Sequence, residues 1–567
     1  MASIVKKRIS GKTYLYAATS ARVDGQPRIV DQVYLGAEDE VIARLTGQAG
    51  GGDPALPAAT VHRRFGDVAA VWSVLTRLDA IAVIDGVVGD AKVPGGTTVG
   101  TYVALAALNR ICDPRSKAGF ADWSATTSLG RITGLAARMV DHRRFWDAMD
   151  RVDLVQLDAV ETALTRRMID VFGLDTHGLV LDMTNFATFI DSTNTRAPVA
   201  ARGKAKQKRY DLRLVGLGLV ATRDGGIPLL SRVYPGSQPD VTQFTPMIEE
   251  LARRYTTAVE APGGLTLTFD AGQNSTPNFT RLAELGLRFV GSVPPSEHPG
   301  LLARPAGDRA LVGGRYGEEG LTVLDARARV LGADRRVLLT HSPTLHAAQQ
   351  VGFAQTLAKA TGALDELAAR LARGRTRRGR AAIDADIRSI LAPRWVTRVL
   401  AVELTGDTPA TFRLTWRRDE TSQATLEEEI FGKRILVTDH DDWTVEQVID
   451  AYRSQEDLEA GFRQAKDPHV VSFSPIRHFT DHKIRVHLFT CVFALAVAHL
   501  MRREAERAGL RLSVPALLGE LGGIGETVLL YQGERGRPRA RRMLTRMEPV
   551  QHQLHDLFDL GRYAPRR

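Results

Sequence analysis

Between residues 178 and 293, short apolar runs alternate with helical patterns, and two of the apolar runs lead into an aspartate. LVLDMT (179–184) carries Asp182, and LTLTFD (265–270) ends on Asp270. Unbroken apolar runs of this length, bounded by turn residues, read as buried strands. LRLVGLGLVAT (212–222) and IPLLSRVYP (227–235) are joined by RDGG, a hairpin signal. VTQFTPMIEELARRY (241–255) has helical spacing. TPNFTRLAELG (276–286) is a helix with a glycine stop, and LRFVGSV (287–293) is a further strand. The order strand, hairpin, helix, strand, helix, strand confines this stretch to one mixed sheet flanked by helices.

That order matches the core of the RNase H-like fold, an α/β arrangement with a mixed five-stranded sheet. The chain has 567 residues, 44% of them hydrophobic, enough for several domains around such a core. Residues 1–48 alternate as a short β region, and AGGGDPALPA (49–58) has the composition of a linker. Residues 59–172 read as helical, a candidate DNA-binding domain, with RRFWDAMDRV (143–152) amphipathic. The first part of the core spans 173–293. A large, partly β insertion follows at 294–430, with strands near 321–340 and 395–416. Its long helix from about 344 to 373 has Ser342 as N-cap and Pro343 at the first position. Residues 431–505 return to the core with the strand RILVTD (434–439) and further helices. In TVEQVIDAYR, Thr444 and Gln447 form a capping box, and the helix is expected to continue into the next segment with a bend near Ser454. A basic C-terminal region occupies 506–567.

The net charge of +10 is clustered. Arg196 to Arg213 holds Arg196, Arg202, Lys204, Lys206, Lys208, Arg209 and Arg213 against Asp211. Arg370 to Arg380 holds six arginines, and Gln532 to Arg546 holds six with one glutamate. Such stripes suit a polyanion, against the plain alternative of solvated surface. The two cysteines, Cys112 and Cys491, form no disulfide framework or zinc signature, so a reducing cytoplasm is expected. The start, MASIVKKRIS, lacks the apolar stretch of a signal peptide. VHLFTCVFALAVAHL (486–500) is shorter than a membrane span and holds two histidines, so it reads as a buried core helix. No P-loop or nucleophile elbow is present, which argues against nucleotide-driven chemistry and serine hydrolysis.

YRSQEDLEAGFRQAK (452–466), read as one helix at ~100° per residue, stacks Tyr452, Gln455, Glu459 and Lys466 on one face with Arg463 beside them. Leu458, Phe462 and Ala465 form the adjoining apolar stripe. With Asp182 and Asp270 at strand ends, Glu459 makes a third carboxylate from a distant part of the chain. Hard divalent cations prefer such oxygen ligands. Two Mg²⁺ or Mn²⁺ ions held by three acids can activate an attacking hydroxyl and stabilise a leaving oxygen in phosphodiester displacement.

The sequence resembles bacterial insertion-sequence DDE transposases of the cut-and-paste type, the group with a Tyr-x2-Arg-x3-Glu-x6-Lys box. Tyr452, Gln455, Glu459 and Lys466 stand at that spacing. LDMTNFATF (181–189), DAGQNSTPN (270–278) and PIRHFTDHKIRVHLF (475–489) resemble the group's first-Asp, second-Asp and post-Glu segments in order. The resemblance implies Asp182, Asp270 and Glu459 as catalytic metal ligands, and Tyr452 and Lys466 as contacts to phosphates of transposon-end DNA. It implies cleavage at the end, attack of the freed 3′-hydroxyl on the opposite strand, then joining to target DNA. The partners are then double-stranded DNA (terminal inverted repeats and target), with a homodimer in the DNA complex and no membrane. The site of action is the nucleoid of a bacterial cytoplasm.

One position departs from the box. Gln455 stands where the group has arginine, able to hydrogen-bond a phosphate without charge. Arg463, on the Glu459 face, is the better candidate for the missing charge, ahead of Arg453. The insertion fills most of the 189 positions from Asp270 to Glu459. In such transposases it contacts the hairpin end and a flipped base, for which Trp395 and Trp416 are the candidate stacking residues, with core packing as the alternative. Two rival functions stay open: a nuclease that cuts without joining, and a non-catalytic DNA-binding relative.

Overall fold

The computed structural model describes residues 2–9, 11–23, 26–46, 57–89, 92–203, 211–258, 264–531 and 539–566. Most of the expected linker (49–56), four cations of the first basic stripe (Lys204, Lys206, Lys208, Arg209) and two of the last (Arg535, Arg537) lie outside these residues. The chain divides into two compact units. One comprises 1–63, 525–545 and 564–567, and the other comprises 64–524 and 546–563.

The smaller unit begins with three antiparallel strands, β1 (Ala2–Ile9), β2 (Lys12–Val23) and β3 (Gln26–Ala37), followed by helix α1 (Glu38–Leu45). Residues expected to open the helical region instead form β4 (Ala59–Arg64). ATVHRR is too short and too β-branched for a helix turn before the cap at Phe65.

The larger unit is built on one nine-stranded sheet. Its first five strands are β5 (Gly178–Thr188), β6 (Arg213–Thr222), β7 (Pro228–Pro235), β8 (Thr266–Phe269) and β9 (Arg288–Val293). They lie in the order β7-β6-β5-β8-β9. β5 runs parallel to β8 and β8 to β9, while β6 and β7 form the antiparallel hairpin, closed through Gly225 and Gly226 at positive φ. Strands buried on both faces explain why these segments read as continuous apolar runs.

The insertion divides in two. β10 (Ala310–Leu311), β11 (Thr322–Val330) and β12 (Ala333–His341) do not stand apart but extend the main sheet. Residues 343–431 form a core of their own. It comprises the 30-residue helix α2 (Pro343–Ala372), the hairpin β13 (Leu400–Thr405) and β14 (Arg413–Arg418), and helices 380–391 and 420–430. Phe353, Leu357, Leu364, Phe412, Leu426 and Phe431 fill it. Ser342 caps α2 by accepting from the Leu345 amide. Trp395 and Trp416 pack against this core, and Trp416 Nε1 donates to Asp365 at 2.8 Å, so both are packing residues.

β15 (Lys433–Thr438) then joins β12 to β9 and completes the sheet order β10-β11-β12-β15-β9-β8-β5-β6-β7. Two helices follow, α3 (Val445–Arg453) with the Thr444–Gln447 capping box, and α4 (Gln455–Lys466). Next comes α5 (Asp481–Arg507), long and apolar enough by composition to cross a membrane, but with 94% of its apolar window buried in the fold. It is the core helix that its histidines suggested. β16 (Gly525–Tyr531) and β17 (Arg539–Leu544) return to the smaller unit and pair in the order β17-β16-β4.

Candidate active site

Asp182 does not end its strand, as the sequence reading expected. β5 continues to Thr188 because β6 pairs with it throughout, Asp182 standing opposite Leu219. What ends there is the parallel pairing. The β5–β8 register runs from Gly178 opposite Thr266 to Leu181 opposite Phe269, so Asp182 and Asp270 are the next residue on each strand. Adjacent strands lie about 4.8 Å apart, which places the two carboxyl-bearing residues side by side.

β9 contributes the next group along. Thr268 pairs with Val290, and two residues on, Ser292 stands level with Asp270. The buried Ser292 Oγ donates to Asp270 Oδ1 at 2.8 Å. Tyr452, in the last turn of α3, donates its phenol hydrogen to the same oxygen at 3.3 Å. Burial, then the Asp270 carboxylate, push the Tyr452 phenol upward, so it remains a donor. Asp270 is exposed, and its Oδ2 accepts no hydrogen bond from any described residue, which leaves that oxygen open. Asp182 is half-buried, with Oδ1 accepting from the Met183 amide at 2.6 Å. Ser292 was missed in the sequence, although counting equal steps along LTLTFD and LRFVGSV would have aligned it.

α4 packs along β5 through Leu458, Phe462 and Ala465, all buried. At its end Lys466 Nζ donates to Thr184 Oγ1 at 2.6 Å. Thr184 lies two residues beyond Asp182 and so on the same strand face. Glu459 precedes Lys466 by two turns and shares its helix face. The Glu459 side chain is 55% exposed and pairs loosely with Arg463, whose nearest nitrogen is 3.7 Å away. Two acids are thus adjacent, and the third stands on the helix that lies along their strand. Among the described residues, no three acids, histidines or cysteines are close enough to hold a metal ion.

The segment 452–466 is not one helix. It breaks at Ser454 (φ −62°, ψ −12°), so Tyr452 belongs to α3 and the other three box residues to α4. Gln455, the first residue of α4, points inward. It is 8% exposed and its Nε2 lacks a hydrogen-bond partner, so Gln455 does not present its amide to DNA in this arrangement. Of the two arginines considered as replacements, Arg453 is tied to Glu319 at 2.8 Å and lies over the Tyr316 ring. The Arg463 side chain is 72% exposed.

Behind α4, His499 of α5 donates from Nδ1 to the carbonyls of Gly225 and Gly226, at 3.0 and 2.9 Å. Burial pulls its pKa down to about 4. Its ring also touches the space over Gly461, where an added Cβ would come within 3.2 Å. One histidine therefore ties the β6–β7 turn to α4. A cavity of about 490 Å³ opens beside Tyr452, lined by Arg434, Arg453, Glu456, Ser342 and Thr344 among others.

In the stripe from Arg370 to Arg380, Arg378 pairs with Asp386 and Arg380 donates to the carbonyls of Leu404 and Gly406. Arg373, Arg375 and Arg377 are exposed.

No family model matches the chain, and no curated protein matches it. Among solved structures, it is similar to a piggyBac transposase determined by cryo-electron microscopy as a synaptic complex with hairpin DNA. The identity is 10%, 82% of each chain is covered and the TM-score is 0.35, a likeness too low to assign a fold or a family.

Proposed function

We propose that this chain is a DNA transposase that cuts and joins transposon ends by metal-dependent phosphodiester transfer, with Asp182, Asp270 and Glu459 as its carboxylates. The observation that carries the reading is the shared end of the β5–β8 parallel pairing, where Asp182 and Asp270 become neighbours while α4, the helix that carries Glu459, is tied to the same strand through Lys466. The strand order β7-β6-β5-β8-β9 is also the order that an RNase H-like core requires.

The donor set is all carboxylate oxygen, and one oxygen of Asp270 is held while the other is open, which suits Mg²⁺ or Mn²⁺. When bound, two such ions would supply an activated hydroxyl and charge stabilisation at the leaving oxygen. Ser292 and Tyr452 fix the Asp270 carboxyl. Lys466 brings a positive charge beside the acids, where a phosphate of the scissile strand would lie. Arg463 adds an exposed charge one turn from Glu459. Duplex ends are the substrate in this reading, two copies of the chain bring two ends together, and the work is done in the bacterial cytoplasm.

The test is a cleavage and strand-transfer assay on DNA ends flanking the coding sequence, with Mg²⁺, comparing wild type with Asp182→Asn and Glu459→Gln. Wild type should cut and join, and both variants should lose cutting by at least about a thousandfold. Equal cutting by either variant would sink the site assignment. Cutting without joining by wild type would make the chain a nuclease.

A further inference from the structure

The three-stranded sheet of the smaller unit has two unlike faces. On one, α1 is tied down by the Lys6–Glu38 ion pair, and Val41 sits where a Cβ on Gly36 would be 3.4 Å from it. Leu15 is opposite Gly36 and Lys6 opposite Leu15, so this is their face too. On the other face, Lys7 stands opposite Tyr14 and Tyr16 opposite Tyr34, with Lys12 and Gln32 on the same side by alternation. The rings form one cluster, with Tyr14 and Tyr16 centroids 6.0 and 5.3 Å from Tyr34. Lys7 Nζ lies 5.0 Å from the Tyr16 ring centroid and donates to Gln32 Oε1 at 2.8 Å. Tyr34 is 55% exposed.

Charge separates the faces as well. The described side chains of the strands include Lys6, Lys7, Arg8, Lys12 and Arg28 against Asp31, whereas Glu38, Asp39 and Glu40 belong to the helix. By alternation Asp31 falls on the helix side, opposite Thr19, which leaves the tyrosine face with lysines and no carboxylate among its described strand residues. A monomer does not need an open face of tyrosines and lysines. A polyanion with hydrogen-bonding edges complements one.

We propose that the Lys7, Tyr14, Tyr16 and Tyr34 face of this sheet is a docking surface for duplex DNA, entering the major groove. Three strands span about 10 Å between the outer backbones, against a groove about 12 Å wide. The phenol hydroxyls can meet base edges, and Lys7 and Lys12 the phosphates. The rings tilt 48° and 56° against one another, so they do not offer the parallel platforms that stacking on single-stranded bases requires. The surface deepens the transposase reading by naming where its DNA is held, and it rests on that reading only for the source of the DNA.

The experiment uses the full chain without divalent metal, so binding is read apart from catalysis. Fluorescence anisotropy would follow duplexes from the ends flanking the coding sequence, random duplexes, and single strands of equal length. Lys7→Gln with Lys12→Gln should weaken duplex binding and reduce the slope of log affinity against log salt by about two. Tyr16→Ala with Tyr34→Ala should cost about tenfold on duplex DNA, with circular dichroism confirming the fold and the lysine pair as the second arm if it does not. Unchanged affinity and slope in the lysine pair would overturn the proposal. So would a preference for single strands that the tyrosine pair abolishes, or loss of a dimer in sedimentation with DNA affinity intact. If Asp182→Asn still cut while these variants lost binding, the active-site reading would fail and this surface would stand. The reverse result would separate them the other way.

Discussion

Asp182 and Asp270 ride on the middle of a nine-stranded sheet, whereas Glu459 rides on a twelve-residue helix that begins at a break. The first two are placed by backbone ladders on either side, with Leu181 and Phe269 locked in register before them. Glu459 is placed by side-chain contacts, the packing of Leu458, Phe462 and Ala465 and the Lys466–Thr184 hydrogen bond to β5. Ladders fix position to a fraction of an ångström, and a packed stripe permits sliding and rotation. The helix-borne acid is therefore the less rigidly placed of the three. Each prediction below perturbs one side of this contrast.

The largest effect belongs to matched truncations. Phe462 on α4 and Phe269 on β8 are 5% and 0% exposed, and each change to alanine should cost about 3–5 kcal/mol in chemical denaturation. The contrast lies in the second readout. Phe462→Ala should leave weak Mn²⁺ binding at the Asp182–Asp270 pair, seen by electron paramagnetic resonance, and Phe269→Ala should lose it. Equal loss in both would mean that the strand pair is not independently placed.

Acid should loosen the helix side first. His499 has its pKa pulled down to about 4 by burial, against an ordinary value near 6.5, so the unfolded chain takes up a proton before the folded one. Stability is whole above about pH 6.5 and is lost as pH falls towards 4, by about 3 kcal/mol for this group. Because His499 bonds the Gly225–Gly226 turn and abuts Gly461, amide exchange corrected for intrinsic rates should rise in α4 before β5 between pH 6.5 and 5. His499→Asn should flatten that pH dependence of α4. His478 and His487 are lowered in the same direction and would leave a residual dependence elsewhere.

The strand side was legible in the sequence because burial on both faces writes itself as unbroken apolar runs, and a hairpin as RDGG. The helix side was half legible. The spacing of Leu458, Phe462 and Ala465 identified the stripe, and the bend expected near Ser454 is there, but as a full break between two helices, which serine among good helix formers does not announce. That break puts Tyr452 on a different helix from Gln455, Glu459 and Lys466. The extension of the sheet by β10–β12 was also hidden, because strand periodicity reports that a strand exists and not which sheet it joins. Thr184 was hidden for the same reason, and Ser292 shows only once the two strands are set in register.

A smaller effect tests how tightly the strand side is held. Ser292→Ala removes the shorter of the two hydrogen bonds on Asp270 Oδ1 and leaves Tyr452 at 3.3 Å. The expected cost is about 1 kcal/mol in stability, with Mn²⁺ affinity falling several-fold. Ser292→Thr, which keeps the hydroxyl, should restore the affinity. A variant with wild-type Mn²⁺ affinity would show that the ladder alone orients Asp270.

The smallest effect on the fold is expected at Arg463, and it is the sharpest test of the helix side. Its side chain is 72% exposed and its pairing with Glu459, at 3.7 Å, is an open surface pair. Arg463→Ala should change stability by no more than about 0.5 kcal/mol. Its consequence should appear in DNA instead. With Gln455 buried and Arg453 tied to Glu319, Arg463 is the exposed arginine of α4 itself near Glu459. Removing it should lower the slope of log affinity against log salt for end DNA by about 0.9, one phosphate contact. Gln455→Arg in that background tests the position directly. A buried pocket that must accept a guanidinium should destabilise the protein without restoring the slope, whereas restoration would mean that α4 rotates on binding and brings position 455 to the surface.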